Sequence, residues 1–178
     1  MCKRNLPDLK YIVNIKIHLH NLTRKFLDKD NFYFLTLILI IFSLDRYTKF
    51  QIINNFNETK LYINNYINFD LIWNIGIGFG LLSTNSQVIY NLVTIIIGLV
   101  IFGLIYVSII SEKIDKFIYC IIVGGAFGNF YDRLIYHAVP DFIDLHFRDF
   151  HWFTFNVADI FISLGIIAFI IRSYYIKK

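Results

Sequence analysis

Cysteine is scarce in this chain of 178 residues, with only Cys2 near the start and Cys120 inside an apolar run. That excludes a disulfide framework and a paired-cysteine metal site, and leaves both thiols as structural residues. Charge is sparse as well, at 17% of residues against 57% hydrophobic, and the centres of the apolar runs carry almost none. A mean hydropathy of +0.56 lies far above that of soluble globular chains, so a single-domain membrane protein is expected. The net charge of +4 does not point to nucleic acid. Its basic residues gather at the ends of the chain and in one loop, where a nucleic-acid surface needs a stripe. There is no internal repeat. The Asn, Ile, Lys, Phe and Tyr bias runs through the whole chain, so the Asn-rich loop is not a functional low-complexity segment.

Four apolar segments each approach the roughly 20 residues that cross a bilayer as a helix. They are Phe32 to Ile53, Val88 to Ile110, Phe117 to Tyr136, and Asn156 to Tyr175. Residues 1–30 are expected to be a cytoplasmic arm and 31–178 the four-helix transmembrane domain. The first apolar run starts too late and runs too long for a cleaved signal peptide, and Cys2 has no apolar run before it to mark lipidation. From Tyr11 to Leu27 the apolar residues keep roughly helical spacing, which suits a helix lying on the membrane. Four crossings put both termini on one side. Seven Lys and Arg residues from Lys3 to Lys29 precede the first segment, Lys113 and Lys116 separate the second and third, and Arg172, Lys177 and Lys178 end the chain. The positive-inside bias makes that side cytoplasmic. The two outer segments, Asn54 to Gln87 and His137 to Phe155, are too polar or too broken to span. Strand-like stretches at Thr59 to Ile63 and Phe69 to Trp73 predict a small sheet on the outer membrane surface.

Ionisable groups at a membrane boundary are costly and mark function or pairing. Four clusters stand there. In Asp45-Arg46-Tyr47-Thr48-Lys49, Asp45 and Lys49 are four apart on a helix, so their side chains meet. In Asn74-Ile75-Gly76-Ile77-Gly78-Phe79-Gly80, alternate glycines allow tight turning and close approach to another chain. No strand-loop-helix unit surrounds them, so phosphate binding is rejected. From Gly124 to Arg133, Gly124 and Gly128 form a small-residue face for helix packing. That leaves Asn129, Asp132 and Arg133 to explain, and an orienting Asp132–Arg133 pair is expected. In the fourth cluster Asn156 is suited to cap the last helix and place Asp159 in its first turn, while Asp141 follows Pro140 in extended chain. Two carboxylates converging at one depth cannot both ionise. They share a proton, so one can activate water while the other protonates a leaving amine.

Taken together, these clusters resemble the lipoprotein signal peptidase family, also called signal peptidase II, from Asp45 to Asp159. The similar motifs are Asp45 to Lys49, Asn74-x-Gly76, the Gly-Gly-Ala-x-Gly-Asn-x-x-Asp-Arg run ending at Arg133, Val139-Pro140-Asp141-Phe142, and Phe155-Asn156-Val157-Ala158-Asp159. The resemblance implies an all-α membrane fold of four transmembrane helices with a small extracytoplasmic sheet and loop. It also implies an aspartic endopeptidase of the cytoplasmic (inner) membrane, working at the outer face on diacylglyceryl-modified prolipoproteins and cutting just before the lipidated cysteine. Asp141 and Asp159 would be the catalytic dyad. Asp45, Lys49, Asn74, Gly76, Asn129, Asp132, Arg133 and Asn156 would shape the site, with membrane lipids around it and no cofactor. Three positions depart from the pattern: His137 stands where the family usually has glycine, Gly78 where alanine is common, and Arg46 where glutamine is frequent. His137 is expected to change the shape of the turn leading to Asp141.

Three rival readings compete with this one. A metal-dependent hydrolase could use His137, Asp141, Asp144, His146, Asp149 and His151, but there is no His-Glu-x-x-His signature and the alternation suits a wet loop, so no metal is expected. An ion path would need charges along the spans, whereas these crowd at one boundary. Ser108, Ser111 and Ser163 lack a Gly-x-Ser-x-Gly setting, which excludes a serine protease.

Overall fold

The computed structural model describes residues 11–16, 29–55, 60–76, 87–148 and 150–176. Its long helices are α1 (Lys29–Asn55), α2 (Gln87–Ile110), α3 (Lys113–Ile135) and α4 (Val157–Ile176). Its strands are β1 (Leu61–Tyr62), β2 (Ile67–Asn74), β3 (Val139–Phe147) and β4 (Phe150–Phe155). They form one antiparallel sheet in the order β1-β2-β3-β4. The helix-dominated fold with a small antiparallel sheet is as expected, but the sheet is larger than the two strand-like stretches suggested. The segment read as a wet loop supplies β3 and β4, and most of β3 is buried. Residues 11–16 are helical and exposed; the rest of the expected surface helix, like Gly78 and Gly80, lies outside the described residues.

Among the described residues only α2 and α4 are long and apolar enough to cross a membrane by composition. The charges of the site lower the hydropathy of the other two, since α1 carries Asp45, Arg46 and Lys49, and α3 carries Asp132 and Arg133. The distribution of side chains nonetheless suits lipid. On α2, Val88, Leu99 and Phe102 are exposed while Tyr90, Thr94 and Ser108 are buried. In water that arrangement would cost free energy on both faces, and in hydrocarbon it costs on neither.

Helix α3 is the centre of the bundle and packs on α1, α2 and α4. Its glycines permit this. A Cβ on Gly124 would meet Ile41 of α1 at 2.9 Å, one on Gly125 would meet the Ala158 carbonyl of α4 at 2.5 Å, and one on Gly128 would run into the Asp45 carboxylate. Close packing of α1 on α3 through Gly128 therefore brings Asp45 against α3.

At the end of α3, the Tyr136 amide bonds to the Asp132 carbonyl at 2.7 Å and His137 takes φ 54°. This is the left-handed position that follows a helix and favours glycine. The histidine adopts this glycine-type backbone, with its ring edge-on to Tyr90 at 6.1 Å. A β-branched side chain fits that backbone poorly. His137→Val should lower stability by about 1–2 kcal/mol, while His137→Gly should stay within about 1 kcal/mol of the parent. Thermal unfolding in detergent measures both.

Candidate active site

The site begins with the buried ammonium of Lys49, whose side chain is 1% exposed. Its Nζ donates to Asn129 Oδ1 at 2.8 Å and Asp132 Oδ2 at 2.7 Å, and pairs with Asp45 Oδ2 at 3.0 Å. Two hydrogen bonds and an ion pair thus surround the ammonium. The expected contact between Asp45 and Lys49, one turn apart on α1, is therefore present. The expected Asp132–Arg133 pair is not. Asp132 instead receives both terminal nitrogens of Arg46, at 2.5 and 2.8 Å, besides Lys49. Consecutive helical residues point in different directions, so Asp132 faces α1 while Arg133 faces away. The Arg133 guanidinium donates to the Asn129 carbonyl at 3.1 Å and the Gly76 carbonyl at 3.0 Å.

Helix α4 starts with a reciprocal cap. Asn156 Oδ1 accepts from the Asp159 amide at 3.1 Å, and Asp159 Oδ2 accepts from the Asn156 amide at 3.2 Å. The pattern is a capping box built on Asn-x-x-Asp. Asp45 Oδ1 accepts the Ala158 amide at 3.0 Å, so a carboxylate from α1 satisfies a further free donor of α4. The other half of the Asn156 side chain faces the sheet, where its Nδ2 donates to Asp141 Oδ1 at 2.5 Å. Asn74 Nδ2, from the end of β2, donates to Asp141 Oδ2 at 2.9 Å, and Asn74 Oδ1 accepts the Gly76 amide at 2.8 Å. Asn129 Nδ2 donates to Asp159 Oδ1 at 2.7 Å.

These bonds close a ring. It runs from Asn129 through Asp159, Asn156, Asp141, Asn74, Gly76 and Arg133 back to Asn129, and Lys49 ties Asp45 and Asp132 to it. The structure thus brings together all ten residues singled out from the sequence. Asp141 and Asp159 both hang on Asn156, and each of their four oxygens receives one hydrogen bond. A carboxylate oxygen has room for a second, so both carboxylates are oriented and each keeps an open acceptor position. Burial first, and then the neighbouring Asp159 carboxylate, pushes the Asp141 carboxyl up to about 6, against the bonds from Asn74 and Asn156 that favour its charged form.

In the sequence Arg46 stands out only as a departure from the family pattern. Besides its two bonds to Asp132 it reaches Asp45 at 2.9 Å and lies over the Tyr131 ring at 4.9 Å. Nothing in the sequence separates it from other boundary cations, because its partner lies 86 positions away on α3. Of the residues weighed for a metal, His137 and Asp141 sit elsewhere and Asp149 lies outside the described residues. Asp144, His146 and His151 do cluster, on the sheet. Burial alone would raise the Asp144 carboxyl, but the hydrogen bond and charge of His151, and then Lys60, hold it below the ordinary value.

The description "Signal peptidase (SPase) II" belongs to the family model that matches residues 37–175. A lipoprotein signal peptidase of Pelagibacter ubique is 52% identical over 145 residues, covering 79% of this chain and 87% of that one. A lipoprotein signal peptidase of Francisella tularensis is 38% identical over 152 residues, covering 82% and 93%. A bacterial membrane enzyme solved by the in meso method at 2.3 Å superposes with a TM-score of 0.68 at 26% identity, covering 80% of this chain and 88% of that one.

Removing Lys49 leaves two buried carboxylates, Asp45 and Asp132, with the half-buried Arg46 as the cation they share. Lys49→Met should cost about 3 kcal/mol or more, and Arg46→Gln, at a side chain 19% exposed, distinctly less. Thermal unfolding of the two variants side by side checks that order.

Proposed function

The chain belongs to the signal peptidase II family, and on that premise we propose that it removes signal peptides from prolipoproteins as an aspartic endopeptidase whose dyad is Asp141 and Asp159. The observation that carries the reading is the shared anchor. Asn156 holds Asp141 through its side chain and Asp159 through its backbone amide, so a strand and a helix deliver two carboxylates to one place. The pair carries one proton. The ionised carboxylate takes a proton from water as the water attacks the scissile carbonyl, and the protonated one gives its proton to the departing amide nitrogen. The raised Asp141 carboxyl suits a group that must hold a proton near neutrality.

All four helices cross the inner membrane, both termini lie in the cytoplasm, and the sheet and dyad face outward. The basic residues at the chain ends and between α2 and α3 support this orientation. The substrate is a diacylglyceryl-modified prolipoprotein, cut just before the lipidated cysteine. Its signal helix lies among the spans, with its cleavable end unwound beside the Asn74–Gly76 turn and its acyl chains in the bilayer. Anchoring by lipid aligns the scissile bond in advance, so unlipidated precursor should be a poor substrate.

Cleavage of a lipidated precursor by purified wild type, Asp141→Asn and Asp159→Asn, all in EDTA, tests the chemistry. Wild type should cleave, and each variant should lose at least about a thousandfold while remaining folded. Near-normal activity in either variant would remove that residue from the dyad. Equal turnover of lipidated and unlipidated precursor would refute the role given to the lipid.

A further inference from the structure

One group of metal-type ligands lies outside the ring. Asp144 and His146 of β3 and His151 of β4 present a carboxylate oxygen and two imidazole nitrogens, all within 4.8 Å of one another. His146 and His151 are opposite each other in the β3–β4 register, and their rings stack at 5.3 Å. Asp144 Oδ2 is 2.7 Å from His151 Nδ1 and 3.9 Å from His146 Nδ1. Tetrahedral ligands about 2.0–2.1 Å from a zinc ion stand roughly 3.3 Å apart, midway between those separations.

The buried histidine supplies the second observation. The His146 side chain is 6% exposed, and its Nδ1 has no hydrogen-bond partner. The Asn68 carboxamide lies 3.4 Å from the other ring nitrogen, Nε2, and Asn68 Oδ1 is also buried without a partner. With the carboxamide turned so that its oxygen rather than its nitrogen faces Nε2, Asn68 accepts the imidazole proton. The lone pair is then fixed on Nδ1, facing Asp144. A ligating histidine is normally oriented in this way by a group behind it. A buried nitrogen with a free lone pair is otherwise a cost that the fold does not recover.

We propose that Asp144, His146 and His151 bind a divalent transition-metal ion, zinc by preference, which fastens β3 to β4. Two imidazoles and a carboxylate are a zinc donor set, too nitrogen-rich for magnesium or calcium. His151 is 46% exposed, which leaves the ion an entry path and room for water as a fourth ligand. On binding, the ion takes the place of the proton between His151 and Asp144 and displaces Lys60, whose ammonium is 3.4 Å from Asp144 Oδ2. The site is separate from the dyad. Asp144 lies three residues, about 10 Å, beyond Asp141 along β3 and on the opposite face of the strand. The ion would therefore brace the strand that carries Asp141 and take no part at the scissile bond.

The test uses the untagged full chain in detergent, stripped with EDTA, dialysed and titrated with zinc chloride, with calorimetry for stoichiometry and thermal unfolding for linkage. One zinc ion should bind per chain at micromolar affinity or tighter. At zinc a hundredfold over Kd the midpoint should rise by about 5 °C, and magnesium should leave it unchanged. His151→Gln, at an exposed position that does not threaten folding, should weaken zinc binding by at least about tenfold, as should His146→Gln. Absence of saturable zinc binding in the parent, or unchanged affinity in His151→Gln, would overturn the proposal. These readouts are of binding and stability, so they stand apart from any failure of the dyad assignment.

Discussion

A lysine ammonium buried between two helices needs three acceptors in place, and meeting that need organises the rest of the site. Lys49 finds Asp45, Asn129 and Asp132. Satisfying it requires α1 and α3 to approach closely, which Gly128 allows. The same approach gives the second oxygen of Asp45 to the amide of Ala158 at the start of α4. One cation thus sets the mutual positions of three helices, and through Asn129 it reaches Asp159. In a low-dielectric surrounding, half-made networks of this kind are costlier than apolar packing, so each member is held by the others.

The carboxylates that would do chemistry stand where the backbone is short of acceptors. Asp159 and Asp45 lie at the N-terminus of α4, where free amides and the helix dipole favour negative charge. Asp141 comes from a strand end with no such help and relies on two side-chain amides, Asn74 and Asn156. The proposed pair is thus held by two different elements, a helix N-terminus and a set of side-chain amides.

Much of this could be read in the sequence, for local reasons. The Asn156–Asp159 cap is a four-residue pattern, the Asp45–Lys49 contact is one helical turn, and the small-residue face of α3 is a spacing. What could not be read depends on distant pairing. The role of Arg46 is hidden because its partner Asp132 is on another helix, and Arg133 does not pair with Asp132 because adjacency in sequence is not adjacency in space. The β3–β4 hairpin is not distinguishable from a loop in the sequence, because its alternation of apolar and polar residues, with His146 and His151 among them, also fits a wet surface. The left-handed backbone of His137, at φ 54°, is likewise invisible in a residue type that rarely adopts it.

If Asp141 and Asp159 act as one proton-sharing unit whose ionisation Asn74 and Asn156 adjust, the pH dependence of kcat/KM must report it. Asp141 is raised to about 6, chiefly by burial and then by Asp159, so the singly protonated pair is present below that pH and lost as pH rises through it. The apparent value belongs to the pair. Activity should decline above about pH 6, and Asn74→Leu, which removes a bond favouring the charged form, should move that limb to higher pH. A profile flat from about pH 5 to 8, or a limb unmoved in Asn74→Leu, would contradict the account.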